Sequence, residues 1–303
     1  MLWRKKRPLI SVVVAFFNMR REAKRTLHSL LATYQKGVSP ADYEVIVVDS
    51  ASTEPLDADW VEGLQSNFRY LYVNSPWPTP NRAMNEGIGM ARSSRVMCMI
   101  DGARILSPGV LINTLSAFQA FPDAYVHTLA FHLGHKLQNL AMIEDGYDQN
   151  AEDVLLRQQD WRADGYTLFN IACLAGSSSG GYLGALSESN CFAVSKALLS
   201  GMGGFDERFR SLGGGLVNLD LHRRLMGMNC LRPVMLLGEG SFHQFHGGVA
   251  TNSRQNAERF ALFEQEYIRL RGERFCTPSS ENTLYFGRIH PFSRRFLLDS
   301  AKK

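Results

Sequence analysis

Two apolar segments that each run out into an aspartate constrain this chain most. Tyr43-Glu44-Val45-Ile46-Val47-Val48 ends at Asp49 and Ser50, and Val96-Met97-Cys98-Met99-Ile100 ends at Asp101. Short apolar runs bounded by polar residues fit strands buried on both faces, as in a parallel sheet covered by helices. In an open α/β sheet, ligands bind at the carboxyl ends of the strands, so each carboxylate stands where a ligand would sit. Asp49 there suits hydrogen bonding to a base or sugar, and Asp101 suits a metal or a diphosphate. One aspartate after a strand more often only caps the next turn. Two, in the context below, favour a nucleotide site.

The rest of the chain supplies the frame. Leu9 to Phe16 reads as a first strand, with β-branched Ile10, Val12, Val13 and Val14. A helix follows from about Arg21 to Tyr34, with Ala23, Leu27, Leu30, Leu31 and Tyr34 on one face. Phe68 to Val73 is a third strand. Pro76, Pro78 and Pro80 force an extended loop before a short helix over Asn81 to Ala91, and Val110 to Phe121 is another helix. This alternation predicts an α/β fold: a mostly parallel, doubly wound sheet flanked by helices. Further on, Tyr125–Leu133, Cys191–Val194 and Val234–Leu237 read as strands, and Asn218–Met226 as a helix. The polar stretch Asp145–Gly165 is helical around Asp153–Trp161, and Gly176–Gly181 reads as a linker or a loop over the site. Ala257, Phe260, Phe263, Tyr267 and Leu270 form the apolar stripe of a tail helix that packs back on the sheet.

Composition excludes several classes. The net charge of +4 is too mild for a dedicated nucleic-acid binder. No run of 18 apolar residues exists, and no apolar core follows the basic segment Leu2–Lys6, so neither a membrane span nor a signal peptide is expected. The five cysteines (98, 173, 191, 230, 276) are scattered without a CxxC pair, which reads as reduced thiols in a cytoplasmic protein with no zinc site. The basic ends, Arg4-Lys5-Lys6-Arg7, Arg294-Arg295 and Lys302-Lys303, allow peripheral contact with anionic lipid at the inner face of the membrane. There is no GxGxxG after the first strand, no GxxxxGK[ST] and no GxSxG.

What is present, in order, is Leu9-Ile-Ser-Val-Val-Val-Ala-Phe-Phe-Asn18, Glu44-Val-Ile-Val-Val-Asp-Ser-Ala-Ser-Thr53, Asn81-Arg-Ala-Met-Asn-Glu-Gly87, Met99-Ile-Asp-Gly-Ala-Arg-Ile-Leu-Ser-Pro-Gly109, Gly203-Gly-Phe-Asp-Glu207 and Gly238-Glu-Gly-Ser-Phe-His-Gln-Phe-His-Gly-Gly248. This succession resembles the inverting nucleotide-sugar glycosyltransferases of family 2, which have the GT-A fold. The resemblance implies a GT-A domain over residues 1–252. Its nucleotide-binding half would span about 9–110 and its acceptor half about 180–252, with a C-terminal helical extension over 253–303 packed on the core. It implies that Asp49 reads the N–H of a uracil-type base, that Asn18, Ser50 and Ser52 line the same pocket, and that Arg82 and Asn85 lie near the ribose or diphosphate. Asp101 would hold the diphosphate through Mg²⁺ or Mn²⁺.

The chain departs from the family's pattern twice. Its D-x-D is Asp101-Gly102-Ala103, so the second carboxylate is missing and Arg104 stands next in line. Either Asp101 holds a divalent cation with His243 or His246, or Arg104 supplies positive charge without a metal. The Glu-Asp pair whose aspartate is the family's general base is here Val217-Asn218, and a neutral Asn cannot take a proton from the acceptor hydroxyl. Glu188 and Asp220 are the nearest replacements, with Asp206 and Glu207 behind them. Glu188 is preferred, because an acid in a helix's first turn, as at Asp220, often serves the helix alone. The expected activity is transfer of a sugar from a nucleotide-diphosphate sugar, UDP-type favoured, to a hydroxyl of a glycan or lipid-linked acceptor in surface polysaccharide or glycoconjugate synthesis. The alternative is a non-catalytic nucleotide- or sugar-binding relative that has lost its base. A nucleotidyltransferase would need a glycine-rich basic loop, and Ala15-Phe-Phe-Asn-Met19 has neither glycine nor lysine.

Overall fold

In the computed structural model, residues 7–247 and 256–302 are described. The basic segment Arg4–Lys6, Gly248 and Lys303 lie outside them. The first half alternates as its sequence pattern requires: β1 (Ile10–Phe16), α1 (Arg20–His28), β2 (Tyr43–Ser50), α2 (Ala58–Gly63), β3 (Phe68–Val73), α3 (Asn81–Met90) and β4 (Arg95–Met99). Then come β5 (Arg104–Leu106), α4 (Val110–Ala120), β6 (Ala124–Leu133), α5 (Gln138–Asp145), α6 (Gln149–Arg157), β7 (Ala172–Leu174), β8 (Cys191–Ser195) and α7 (Lys196–Gly201). The chain closes with α8 (Val217–Met226), β9 (Arg232–His243), α9 (Asn256–Arg271), β10 (Leu284–Gly287) and α10 (Arg294–Ser300).

All of these strands join one mixed sheet in the order β10-β9-β6-β8-β4-β1-β2-β3, with β5 on β9 and β7 on β6. Strand β1 pairs parallel with both β2 and β4. Alternate residues of β1 serve two cores. Ile10, Val12, Val14 and Phe16 pack with α1 and α4 on one face, and Val13 and Ala15 with α3 and α8 on the other. This double burial is why the strand reads as an unbroken apolar run. Strand β8 runs antiparallel to β4 and β6, and β6 pairs parallel with β9. Hence β4 and β9 end, and β8 begins, at the same edge of the sheet.

Three local expectations change. Helix α1 stops at His28, and Tyr34 is reached by turns; it is still buried, with its hydroxyl donating to Leu106 O at 2.7 Å. Gly176–Gly181 is a packed turn rather than a linker, since Ser178 is fully buried and its Oγ accepts from Ala130 N–H at 3.0 Å. On α9 the inward stripe is Phe263 and Tyr267, with Leu270 packed beside them, whereas Phe260 is exposed. The tail also contributes a strand, β10, to the edge of the sheet. Among the described residues, no helix is long and apolar enough to cross a membrane.

Candidate active site

A cleft of about 650 Å³ opens at the carboxyl edge of β1, β2 and β4. Its size is that of a small-molecule site. Asn18, Ser50, Asp101, Arg104, Glu188, Asn218, His243 and His246 all line it.

The sheet brings Asp101 to the late histidines. Strand β5 pairs antiparallel with the end of β9, setting Arg104 opposite His243. Asp101 Oδ2 then lies 3.1 Å from His243 Nε2, and His246 Nε2 lies 3.1 Å from the same nitrogen. His243 Nδ1 is 2.6 Å from Gln138 Oε1, while Gln138 Nε2 donates to His243 O at 3.0 Å. The amide oxygen can only accept, so Nδ1 carries the proton and Nε2 presents its lone pair to Asp101. Burial pushes the His243 imidazole down to about 4 despite the neighbouring carboxylate, so it is neutral near pH 7. Burial works against ionisation of Asp101 too, but the Arg104 guanidinium 3.5 Å away favours its charged form. A carboxylate oxygen and an imidazole lone pair thus face each other with no hydrogen between them. One ligand atom from each of Asp101, His243 and His246 falls within 4.8 Å of the others. A divalent cation would satisfy all three, so the residues fit such a group, and Gln138 would be the outer partner that orients His243.

Arg104 stands beside this cluster. It is almost fully buried, its Nε is 3.5 Å from Asp101 Oδ2, and neither its Nε nor its Nη1 has a hydrogen-bond partner among the described residues. Arg104 also lines the cleft, where a guanidinium suits phosphate oxygens.

The turn under Asp101 is tight. Gly102 O accepts from Thr26 Oγ1 at 2.6 Å, and a Cβ on Gly102 would overlap the Phe16 ring and sit 2.6 Å from Ala15 O. We expect Gly102→Ala to lower unfolding free energy by about 2 kcal/mol in urea titrations, the usual scale of overpacking. The histidine loop is braced from behind: Phe245 N–H donates to Glu152 Oε2 at 2.6 Å, and Gln244 Nε2 to Thr26 Oγ1 at 3.1 Å. Burial raises the Glu152 carboxyl to about 7, with Arg21 and Arg25 facing it at 3.4 Å. The polar stretch Asp145–Gly165 supplies this brace. Its helix starts at Gln149, earlier than expected, because Asp148 caps it by accepting from Ala151 N–H.

Several expected site residues lie elsewhere. Asp49 is fully buried, and its oxygens accept from Ser52 N–H at 3.0 Å and Leu56 N–H at 2.9 Å. It caps the turn after β2 and does not line the cleft, whereas Ser50, the next residue, does. Ser52 Oγ accepts from Asn18 N–H at 2.8 Å, while Asn18 Oδ1 accepts from Thr53 N–H at 2.9 Å, so this pair pins the β1 and β2 loops together. Asn18 holds a left-handed backbone, φ 52°, to do so. Arg82 points to solvent and pairs with Glu86 at 2.7 Å. Asn85 grips the Gly203–Glu207 turn, donating to Phe205 O at 2.8 Å and accepting from Phe205 N–H at 3.0 Å. Neither Arg82 nor Asn85 meets the cleft. Asp220 is buried against Arg224 and Arg271, at 2.8 and 2.6 Å, and faces away from the cleft, so it does not act as a base.

Glu188, by contrast, is in the cleft wall. Its Oε2 accepts from Asn218 Nδ2 at 2.7 Å and its Oε1 from Asn190 Nδ2 at 3.1 Å. The reversal of β8 brings this loop to the edge where β4 ends. Gln138 carried no local sequence signal, since its partner His243 lies far off in the chain, and Asn190, two residues from Glu188, is joined to it across the loop with the distant Asn218.

Residues 11–168 match the family model described as Glycosyl transferase family 2. Solved structures of the S. aureus protein TarS share the fold. Against the full protein the TM-score is 0.54 at 12% identity, covering 86% of this chain and 43% of TarS. Against TarS 1-349 it is 0.51 at 13% identity, covering 86% and 65%. Against TarS 1-349 in complex with UDP-GlcNAc it is 0.50 at 14% identity, covering 86% and 66%. This chain thus spans less than half of the full TarS chain. No curated protein sequence matches it.

Proposed function

The chain belongs to glycosyl transferase family 2, and we propose that it moves a sugar from a UDP-type nucleotide sugar to an acceptor hydroxyl, with inversion at the anomeric carbon. The observation that carries this reading is one cleft with Asp101, His243, His246 and the unpaired donors of Arg104 along one wall and the Glu188 carboxylate in another. The TarS complex with UDP-GlcNAc supports the choice of a UDP donor.

Asp101, His243 and His246 would hold a divalent cation. Two imidazoles with one carboxylate favour Mn²⁺ over Mg²⁺, which prefers oxygen ligands alone. Such a cation, when bound, neutralises charge on the departing diphosphate. Arg104 donates its free N–H groups to the diphosphate oxygens, which answers the missing second carboxylate of the D-x-D. Ser50, with a hydroxyl that both donates and accepts, reads the base edge in place of Asp49. Glu188 takes the acceptor O–H proton. The acceptor oxygen attacks the anomeric carbon from the face opposite the diphosphate, whose C–O bond breaks with both electrons leaving on the phosphate oxygen. No covalent glycosyl-enzyme is needed. The acceptor is a glycan or lipid-linked hydroxyl in surface polysaccharide or glycoconjugate synthesis, reached from the cytoplasmic face of a membrane by peripheral contact.

Isothermal titration with UDP tests the donor assignment. We expect binding that strengthens at least tenfold when Mn²⁺ is added and reverts with chelator. No binding of UDP with Mn²⁺ present would overturn it.

A further inference from the structure

We propose that Asn190 and Asn218 are positioning residues that clamp Glu188, and that positions 188 and 218 form one base seat whose carboxylate can stand on either residue. This rests on the reading of Glu188 as the base.

The three side chains close a ring. Asn218 Nδ2 donates to Glu188 Oε2 at 2.7 Å and to Asn190 Oδ1 at 3.3 Å, and Asn190 Nδ2 donates to Glu188 Oε1 at 3.1 Å. Both asparagines are only 6% exposed, so neither amide has water as a ready substitute partner. Every N–H in the ring that meets position 188 points at it, and an asparagine at 218 is the residue type that can supply such a donor. An aspartate there would set two carboxylates at hydrogen-bond distance, where both cannot be ionised together. The ring therefore accommodates one carboxylate. The polarity of the 188–218 bond is nonetheless reversible. In E188Q/N218D the new amide at position 188 donates to the new carboxylate at position 218, and Asn190 turned end for end donates to 218; the 188–190 edge, now amide oxygen facing amide oxygen, is the one bond of the ring that is lost. Two of the three ring bonds are kept, both of them to the carboxylate, which moves by about one hydrogen-bond length. Asn218 Oδ1 has no partner among the described residues, so the swap leaves no existing bond broken at that atom.

The test is UDP release from a panel of UDP-hexoses including UDP-GlcNAc, with Mn²⁺ present, for wild type, E188Q, N218D, E188Q/N218D and N190A. General-base loss is worth about a hundredfold or more. E188Q should lower kcat at least a hundredfold while the donor KM stays within about threefold. N218D alone should also lower kcat, and N190A should lower it about tenfold with KM unchanged, the usual scale for one positioning bond. E188Q/N218D should regain at least ten times the E188Q rate. A purely structural role for Asn218 predicts no such rescue. E188Q that keeps wild-type kcat, or a folded double variant no faster than E188Q, overturns the proposal while the transferase reading stands. No UDP release by the wild type overturns both. Should the double variant fail to bind UDP, N218A decides: kcat reduced at constant KM supports the clamp, and unchanged kcat overturns it.

Discussion

Asp101→Ala should reduce UDP-sugar turnover about a thousandfold, the scale for losing a principal electrostatic stabiliser of a leaving group. Among the described residues Asp101 is the only carboxylate in the cluster with His243 and His246, and its Oδ2 lies 3.1 Å from the His243 ring. Two imidazoles alone hold a hard divalent cation weakly. Arg104, left beside the cleft, cannot replace the lost ligand, because a guanidinium repels a cation. Asp101→Asn should fall nearly as far, since a carboxamide is a poor ligand and carries no charge. Asp101→Asn, which keeps the acceptor for Ala103 N–H, should hold the wild-type melting temperature within a few degrees, whereas Asp101→Ala also strips buried Arg104 of its ion pair at 3.5 Å and should lower it further. The assay is UDP formation at saturating Mn²⁺. A loss below tenfold would show that Arg104 carries the diphosphate charge without a metal.

The second large effect is on stability. Arg271→Ala should lower the unfolding free energy by about 3 kcal/mol, the lower end for breaking a buried ion pair. Arg271 bonds Asp220 through Nε at 2.6 Å and Nη2 at 2.7 Å, and reaches Asp206 at 2.8 Å. Asp220 is 1% exposed and keeps only Arg224 among the described residues when Arg271 is removed. The network ties the Gly203–Glu207 turn, α8 and α9 together, and α9 supplies Phe263 to the cleft. The pH dependence has a definite sign. Burial opposes it, but Arg208 and Arg271 hold the Asp206 carboxyl below its ordinary value of 3.8. A depressed carboxyl contributes stability that is complete above the unfolded value and lost as pH falls. The gap between wild type and Arg271→Ala in urea titrations should therefore be full at pH 7 and narrow below about pH 4. An equal gap at pH 3 and pH 7 would contradict this assignment.

Much of the fold was legible because both-face burial writes itself as apolar runs. The Tyr43–Ser50 and Arg95–Met99 strands and their helices follow that pattern. Orientation at a strand end was not legible. Successive side chains point to opposite faces, so a run ending in Asp49-Ser50 does not say which of the two meets the cleft. The structure turns Asp49 into the loop and Ser50 to the cleft. Asp101 and the HxxH motif could be linked in the sequence only through a family resemblance. The antiparallel pairing of β5 with β9 supplies the physical reason they meet. Gln138 and Glu152 act on partners distant in the chain, and Asn190, though next but one to Glu188, is a single polar residue with no periodicity to betray it. The tail helix stripe failed at Phe260 because amphipathic spacing fixes a face but not how much of its length is covered.

The central claim is that Asp101, His243 and His246 share one divalent cation at the donor diphosphate. Anomalous diffraction at the manganese edge, from crystals grown with UDP and Mn²⁺, tests it most directly. The account predicts one strong peak within coordination distance of Asp101 Oδ, His243 Nε2 and His246 Nε2, with a UDP phosphate oxygen beside it. UDP seated in the cleft with no manganese peak at these three residues would contradict it.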